Sequence, residues 1–175
     1  AERFEAALEA TGDAPELRGQ RVDLARLLAQ SRLAEGRTDD ALAAFELALA
    51  ERPNDPGLLN NVAFLLATEV GDPERAYPLA MAAVARRPRD WAILDTAGKI
   101  CAMLDRWEEA ESYLRQSIVA DERALNTFHL AEVLAATDRD REAMRLLERA
   151  SELAPDDDLR TRIDALADEL AGVGG

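Results

Sequence analysis

Small residues recur along this chain at nearly fixed separations, and that recurrence restricts the available folds more than any other feature of the sequence. Ala41, Ala76, Ala110 and Ala143 are separated by 35, 34 and 33 residues. Twelve residues before three of them stand Ala29, Gly98 and Ala131; before Ala76 the equivalent is Ala63, thirteen back. Seven residues after each stand Ala48, Ala83, Ser117 and Ala150, and twelve after each stand Pro53, Pro88, Glu122 and Pro155. The period is therefore 34, with one residue inserted in the second unit and one deleted near 121–123. Trp91–Ile118 shows the unit most clearly. Leu94, Ala97, Gly98 and Cys101 form one helical stripe, a break follows at Leu104-Asp105-Arg106, and Ala110, Leu114 and Ser117 form a second stripe. Two amphipathic helices with small residues at their contact make a hairpin that cannot bury both faces alone and needs neighbours stacked on it.

The boundaries follow from breakers and caps. Residues 1–12 read as the second helix of a preceding repeat, with Phe4, Ala7 and Leu8 on one face; Gly12 suits a left-handed cap and Asp13 the next N-cap. Residues 13–157 hold four units, about 22–55, 56–90, 91–123 and 124–157. The first pairs a long helix from about Pro15 to Glu35 with one from about Asp39 to Glu51, with Gly36 ending the former and Thr38 capping the latter. The second runs from about Pro56 to Val70 and from Pro73 to Arg86, joined by Gly71-Asp72; the third from Asp90 to Leu104 and Trp107 to Ala120; the fourth from Arg123 to Ala136 and Asp140 to Leu153. Residues 158–171 form a capping helix with Ile163, Leu166 and Leu170 inward and Arg160, Arg162, Asp164, Asp168 and Glu169 elsewhere, and 172–175 fray. The chain opens at Ala1 inside a helix with no polar cover for Phe4 and Leu8, so the expectation is an excised or processed piece whose first end stacks on further repeats or on a second copy.

Charge removes some function classes. The net charge of −14 and the lack of a basic stripe speak against nucleic acid and against anionic membrane surfaces. No apolar run approaches the roughly 20 residues that span a bilayer. Alanine carries much of the 48% hydrophobic content, aromatics only 5%, which suits close helix packing. Of 21 basic residues only Lys99 is lysine, a bias associated with high-GC bacterial genomes.

Catalytic chemistry finds little support. His129 is the sole histidine and Glu132 shares its helix face, but a metal site needs further ligands, and none accompanies them. Cys101, the sole cysteine, sits on a buried stripe, where thiols are inert, and with one cysteine no intrachain disulfide forms. Asp156-Asp157-Asp158 lacks the glycine and alternating oxygens of a calcium loop and reads as carboxylates at a helix N-terminus. No phosphate-binding glycine loop is present. The expectation is no enzyme and no cofactor.

The spacing resembles the tetratricopeptide repeat (TPR) over roughly Val22 to Asp157: small residues at positions 8, 20 and 27, a large one at 24 and proline at 32. Two positions depart from it. Position 11, usually aromatic, is Arg32, Leu66, Cys101 and Leu134, and position 24 is Phe45, Ala80, Leu114 and Leu147. The resemblance implies an all-α TPR superhelical solenoid whose first helices line a concave groove for a peptide or protein partner. Its polar and aromatic positions there are Arg26, Gln30, Asn60, Asn61, Phe64, Asp95, Lys99, Phe128, His129 and Glu132. Arg26, Asn61 and Lys99, 35 and 38 residues apart, are expected to face one concavity. The carboxylate clamp of some TPR domains would need charge at Ala92 and Thr96, which carry none, so it is not expected. Leu59-Asn60-Asn61-Val62-Ala63, Asp95-Thr96-Ala97-Gly98 and Phe128-His129-Leu130-Ala131 resemble segments in TPR regions of bacterial exopolysaccharide-export and exosortase-associated proteins. That resemblance implies a bacterial, envelope-associated scaffold. The competing expectation is a structural module that dimerises or stacks through its N-terminal end.

Overall fold

The structure, a computed structural model, describes residues 2–11, 15–153 and 155–173. Gly12, Asp13 and residues 174–175 lie outside them, as does the side chain of Phe4. The described residues form helices and no strand: α1 (Glu2–Thr11), α2 (Arg18–Ala34), α3 (Thr38–Glu51), α4 (Pro56–Leu65), α5 (Pro73–Arg86), α6 (Trp91–Met103), α7 (Trp107–Ala120), α8 (Ala124–Ala136), α9 (Asp140–Glu152) and α10 (Asp157–Val173). The chain divides into two compact units, Ala1–Arg86 and Arg87–Gly175. In the first, α2 packs on α3 and α4 on α5, with α1 against α2 and α3 against α4. In the second, α6 packs on α7 and α8 on α9, α7 leads into α8, and α10 lies against both α8 and α9.

The recurrent small residues are where the hairpins close. Ala29, Ala41, Ala48, Ala63, Ala76, Ala83, Ala110, Ala131, Ala143, Ser117 and Ala150 have no exposed surface, and Gly98 is buried with them. A Cβ added at Gly98 would stand 2.6 Å from Leu114 Cγ and 3.2 Å from the Ala110 carbonyl oxygen. Glycine here is a requirement of the α6–α7 approach.

Proline and aspartate set the starts. The Asp55 carboxylate accepts from the N–H groups of Gly57 and Leu58 at 2.9 and 3.1 Å. Asp90 accepts from those of Ala92 and Ile93, and Asp156 from that of Leu159 at 2.9 Å. Each carboxylate satisfies donors that a first helical turn leaves open. The third repeat lacks the proline, and a buried network replaces it. Asn126 Nδ2 donates to Ser117 Oγ and to the Asp121 carbonyl at 2.8 and 2.9 Å. Its Oδ1 accepts from the Arg123 N–H at 2.9 Å, and Ser117 Oγ donates to the Trp91 carbonyl at 2.8 Å. The shortened link at 121–123 is held by side chains.

The turns inside the hairpins share one device. The backbone turns left-handed at Gly36, Gly71, Asp105 and Asp138, with φ of 70, 75, 56 and 58°. Three turns close by an N–H reaching the carbonyl five residues back: Arg37 to Arg32, Arg106 to Cys101 and Arg139 to Leu134, each 2.9 Å. The second turn closes six residues back, Asp72 to Leu66 at 2.8 Å, because Leu66–Val70 is a π-helical segment extending α4. A wider turn absorbs one extra residue per bulge; it accommodates the insertion counted between Ala63 and Ala76.

Two expected starts differ. Thr38 is the first residue of α3 and Arg37 occupies the cap without a side-chain bond. A 3₁₀ turn, Pro15–Leu17, precedes α2, because proline fixes a turn there before the helical ladder begins.

Candidate inner-face site

In the first unit the candidate residues range from exposed to half-buried. Arg26 and Gln30 on α2 are exposed and Asn60 and Asn61 on α4 half-buried; Phe64 is 41% exposed. The Arg26 guanidinium reaches Asp23 across a helical turn at 3.4 Å. The Asn60 Oδ1 atom is covered without a hydrogen-bond donor. The pattern also passed over Leu27 and Leu33, exposed apolar residues that share α2 with Gln30. A cavity of this unit, about 850 Å³, lies elsewhere: Arg3 and Ala7 of α1, with Leu24, Arg32 and Glu35, are among its walls. Arg32 is 6% exposed. It pairs with Glu5 on α1 and with Glu35, and these carboxylates hold the guanidinium's pKa above its ordinary value. A charged side chain thus fills the position where the repeat usually has an aromatic ring.

In the second unit the same register gives a closed arrangement. His129 Nδ1 on α8 lies 2.8 Å from Asp95 Oδ1 on α6, with 4 and 6% of the two residues exposed. As a carboxylate Asp95 only accepts, so the shared hydrogen sits on Nδ1 in the neutral ring. His129 Nε2 is covered and has no hydrogen-bond partner. Phe128 is 2% exposed. Asp95, Phe128 and His129 are therefore not open groove side chains; packing of α8 against α6 and α10 covers them. Lys99 and Glu132 are half-buried.

Two cavities adjoin on this face. One, about 320 Å³, is lined by Lys99, Met103, Trp107, His129, Glu132 and Val133, among others. The other, about 530 Å³, lies between α8 and α10, with Phe128, Glu132, Arg162, Leu166, Glu169 and Leu170 among its walls. Glu132 and Ala136 line both. The guanidinium of Arg162 stacks 4.7 Å from the Phe128 ring centroid and reaches Glu132 at 3.5 Å. Sequence reasoning assigned Arg162 to the outer side of a cap. Arg162, Leu166 and Glu169 are spaced four and three apart, the signal of a single helix face.

Cys101 is fully buried. Burial, with Glu109 adding to it, pushes its thiol up to about 11, which leaves it protonated at neutral pH and a poor nucleophile. No group of three or more metal-ligating side chains occurs among the described residues. No described helix is long and apolar enough to cross a membrane.

Comparison with known proteins follows the same lines. Residues 127–161 match a family model described as tetratricopeptide repeat. TTC0263, a thermophilic TPR protein of Thermus thermophilus, superimposes with a TM-score of 0.72 at 25% identity, over 93% of this chain and 86% of that one. The fold is that of the tetratricopeptide repeat proteins. YrrB, a TPR protein with an unusual peptide-binding site, gives 0.72 at 20% identity, over 94% of this chain and 84% of its own. MamA gives 0.66 at 18% identity over 88% of each chain. No curated protein matches.

Proposed function

We propose that this TPR chain is a non-catalytic scaffold that binds a peptide or protein segment on the inner faces of its first helices. The observation carrying this is the pair of adjoining cavities along α6, α8 and α10, which together form a trough walled by apolar side chains and a few polar ones. Such mixed lining is typical of binding clefts. In the first unit Arg26, Gln30, Asn60 and Asn61 present donors and acceptors suited to an extended backbone, and Phe64 an apolar wall. YrrB carries a peptide-binding site on the same fold, which supports the reading. We place the chain in bacterial exopolysaccharide export or exosortase-type sorting on the short segments around Asn60, Asp95 and His129.

A peptide-display selection against the full chain tests the scaffold reading. Peptides recovered should lose capture by Arg26→Ala/Asn61→Ala or by Lys99→Ala/Glu132→Ala, with helicity unchanged. If no peptide is enriched, or enrichment survives both variants, binding is not on these faces. The structural alternative, a module that stacks through its N-terminal end, predicts concentration-dependent dimers in light scattering and no peptide enrichment.

A further inference from the structure

The small cavity between α6 and α8 has a feature that general backbone binding does not explain. Its walls are largely apolar: Ala102, Met103, Trp107 and Val133 among them. Yet His129, which also lines it, keeps a covered ring nitrogen without a partner. The two nitrogens of an imidazole point to opposite sides, so with Nδ1 on Asp95 the Nε2 lone pair turns away from that carboxylate. In the neutral ring Asp95 fixes the tautomer and thereby makes Nε2 an acceptor. A buried acceptor left unpaired is costly, and a ligand that pairs it recovers that cost. At about 320 Å³ the cavity lies at the small end of ligand sites and suits one side chain.

We infer that this cavity is a subsite for a tyrosine side chain of the bound segment, its ring between Met103, Trp107 and Val133 and its hydroxyl donating to His129 Nε2. The inference rests on the peptide-binding reading above. Charge decides against other occupants. Lys99 and Glu132, which also line the cavity, carry opposite charges, which favours a neutral group. A carboxylate would meet an acceptor lone pair and Glu132. Phenylalanine would fill the volume and leave Nε2 unpaired. Access to Nε2 requires one wall to move. Met103, 42% exposed and unbranched, is the apolar wall with the most rotational freedom. Asp95 acts through the ring as a positioning residue.

The sole histidine makes the test direct, because every imidazole ¹⁵N signal of the full chain belongs to His129. The spectrum should show the Nδ1–H tautomer. Adding the peptide Gly-Gly-Tyr-Gly-Gly should shift Nε2 saturably, with affinity about five- to ten-fold above that of Gly-Gly-Phe-Gly-Gly, the worth of one hydrogen bond. Asp95→Asn, whose amide can donate to Nδ1 and move the proton to Nε2, should remove that preference while far-ultraviolet circular dichroism stays unchanged. His129→Phe should also equalise the two peptides, and if it unfolds the unit the Asp95→Asn spectrum still decides. Equal affinities for the wild type, an unmoved Nε2 signal, or binding of neither peptide overturns the tyrosine subsite. The groove reading stands or falls separately on the display selection with the Arg26, Asn61 and Lys99 variants.

Discussion

The two units use one register to opposite ends. On the first helices of the first unit, Arg26, Gln30 and Phe64 stand exposed and Asn60 and Asn61 half-buried, and a cavity lies between α1 and α2, around Arg32. On those of the second, Asp95, Phe128 and His129 are buried by the packing of α8 on α6 and α10, and cavities open beside them. The difference arises from what each helix meets. In the second unit α10 brings Arg162 over Phe128, and α6 brings Asp95 under His129, so these positions become floor. The same repeat position is a contact residue or a foundation depending on its neighbour.

The largest expected break in this comparison is Gly98→Leu. The Cβ contact with Leu114 leaves no room, and overpacking of this kind costs about 1–3 kcal/mol or more. The second unit should lose its cooperative melt by circular dichroism while the first keeps its own. An unchanged melt would mean α6 and α7 are not in close contact at this point.

Next is Asn126→Ala, which removes three hydrogen bonds and strands the Arg123 N–H and the Asp121 carbonyl. A lost partner at a fully buried group costs about 1–3 kcal/mol; these two groups are part-buried, so urea unfolding should shift to lower concentration by the lower part of that range. Asp55→Ala in the first unit removes one cap and should cost about 1 kcal/mol, which measures the two link designs against each other.

The left-handed turns sharpen the contrast further. Gly71→Ala should destabilise the first unit by about 1–2 kcal/mol, the cost of a Cβ in that conformation. Asp105→Gly should relieve similar strain in the second, less the extra chain entropy of glycine, for a net change under about 1 kcal/mol by thermal melt. If both substitutions destabilise equally, the Asp105 side chain is holding its turn.

The smallest effects are titrations. Arg21 holds the Glu51 carboxyl below its ordinary value in the first unit, as Arg149 does for Glu122 in the second. Folded pKa values below the unfolded ones mean that this stability is complete above the ordinary carboxylate range near 4. It fades as pH falls through the folded values. Melting temperatures followed from pH 5 to pH 2 should fall in both units, and Glu51→Gln and Glu122→Gln should each flatten the slope slightly. Cys101, with its thiol at about 11, should react with an aromatic disulfide at neutral pH only as fast as the second unit opens.

The helical hairpins were legible in the sequence because alanine spacing records helix contact directly: Ala110 and Ala143 are fully buried where the helices meet. The caps at Asp55 and Asp90 were not read from the sequence, although aspartate two residues after proline and just before a helix is the signal that could have found them. The burial of Phe128 and His129 was not, because repeat register gives a residue's direction and says nothing of how closely the next helix follows. Arg162 was missed for the same reason: on α10 it reads as solvent-facing until Phe128 lies beneath it. The Asp95–His129 pair, 34 residues apart, could have been found by asking which polar residues at inner positions of successive repeats complement each other.

The π-helical segment at Leu66–Val70 bears on how such a chain changes length. Its extra residue is taken up locally, and Ala76, on the far side, is as fully buried as Ala41, Ala110 and Ala143. Insertion and deletion at these joints therefore leave no frameshift in packing. Genes for such proteins can splice, duplicate or trade repeats at imprecise breakpoints and still yield a chain whose helices meet in register.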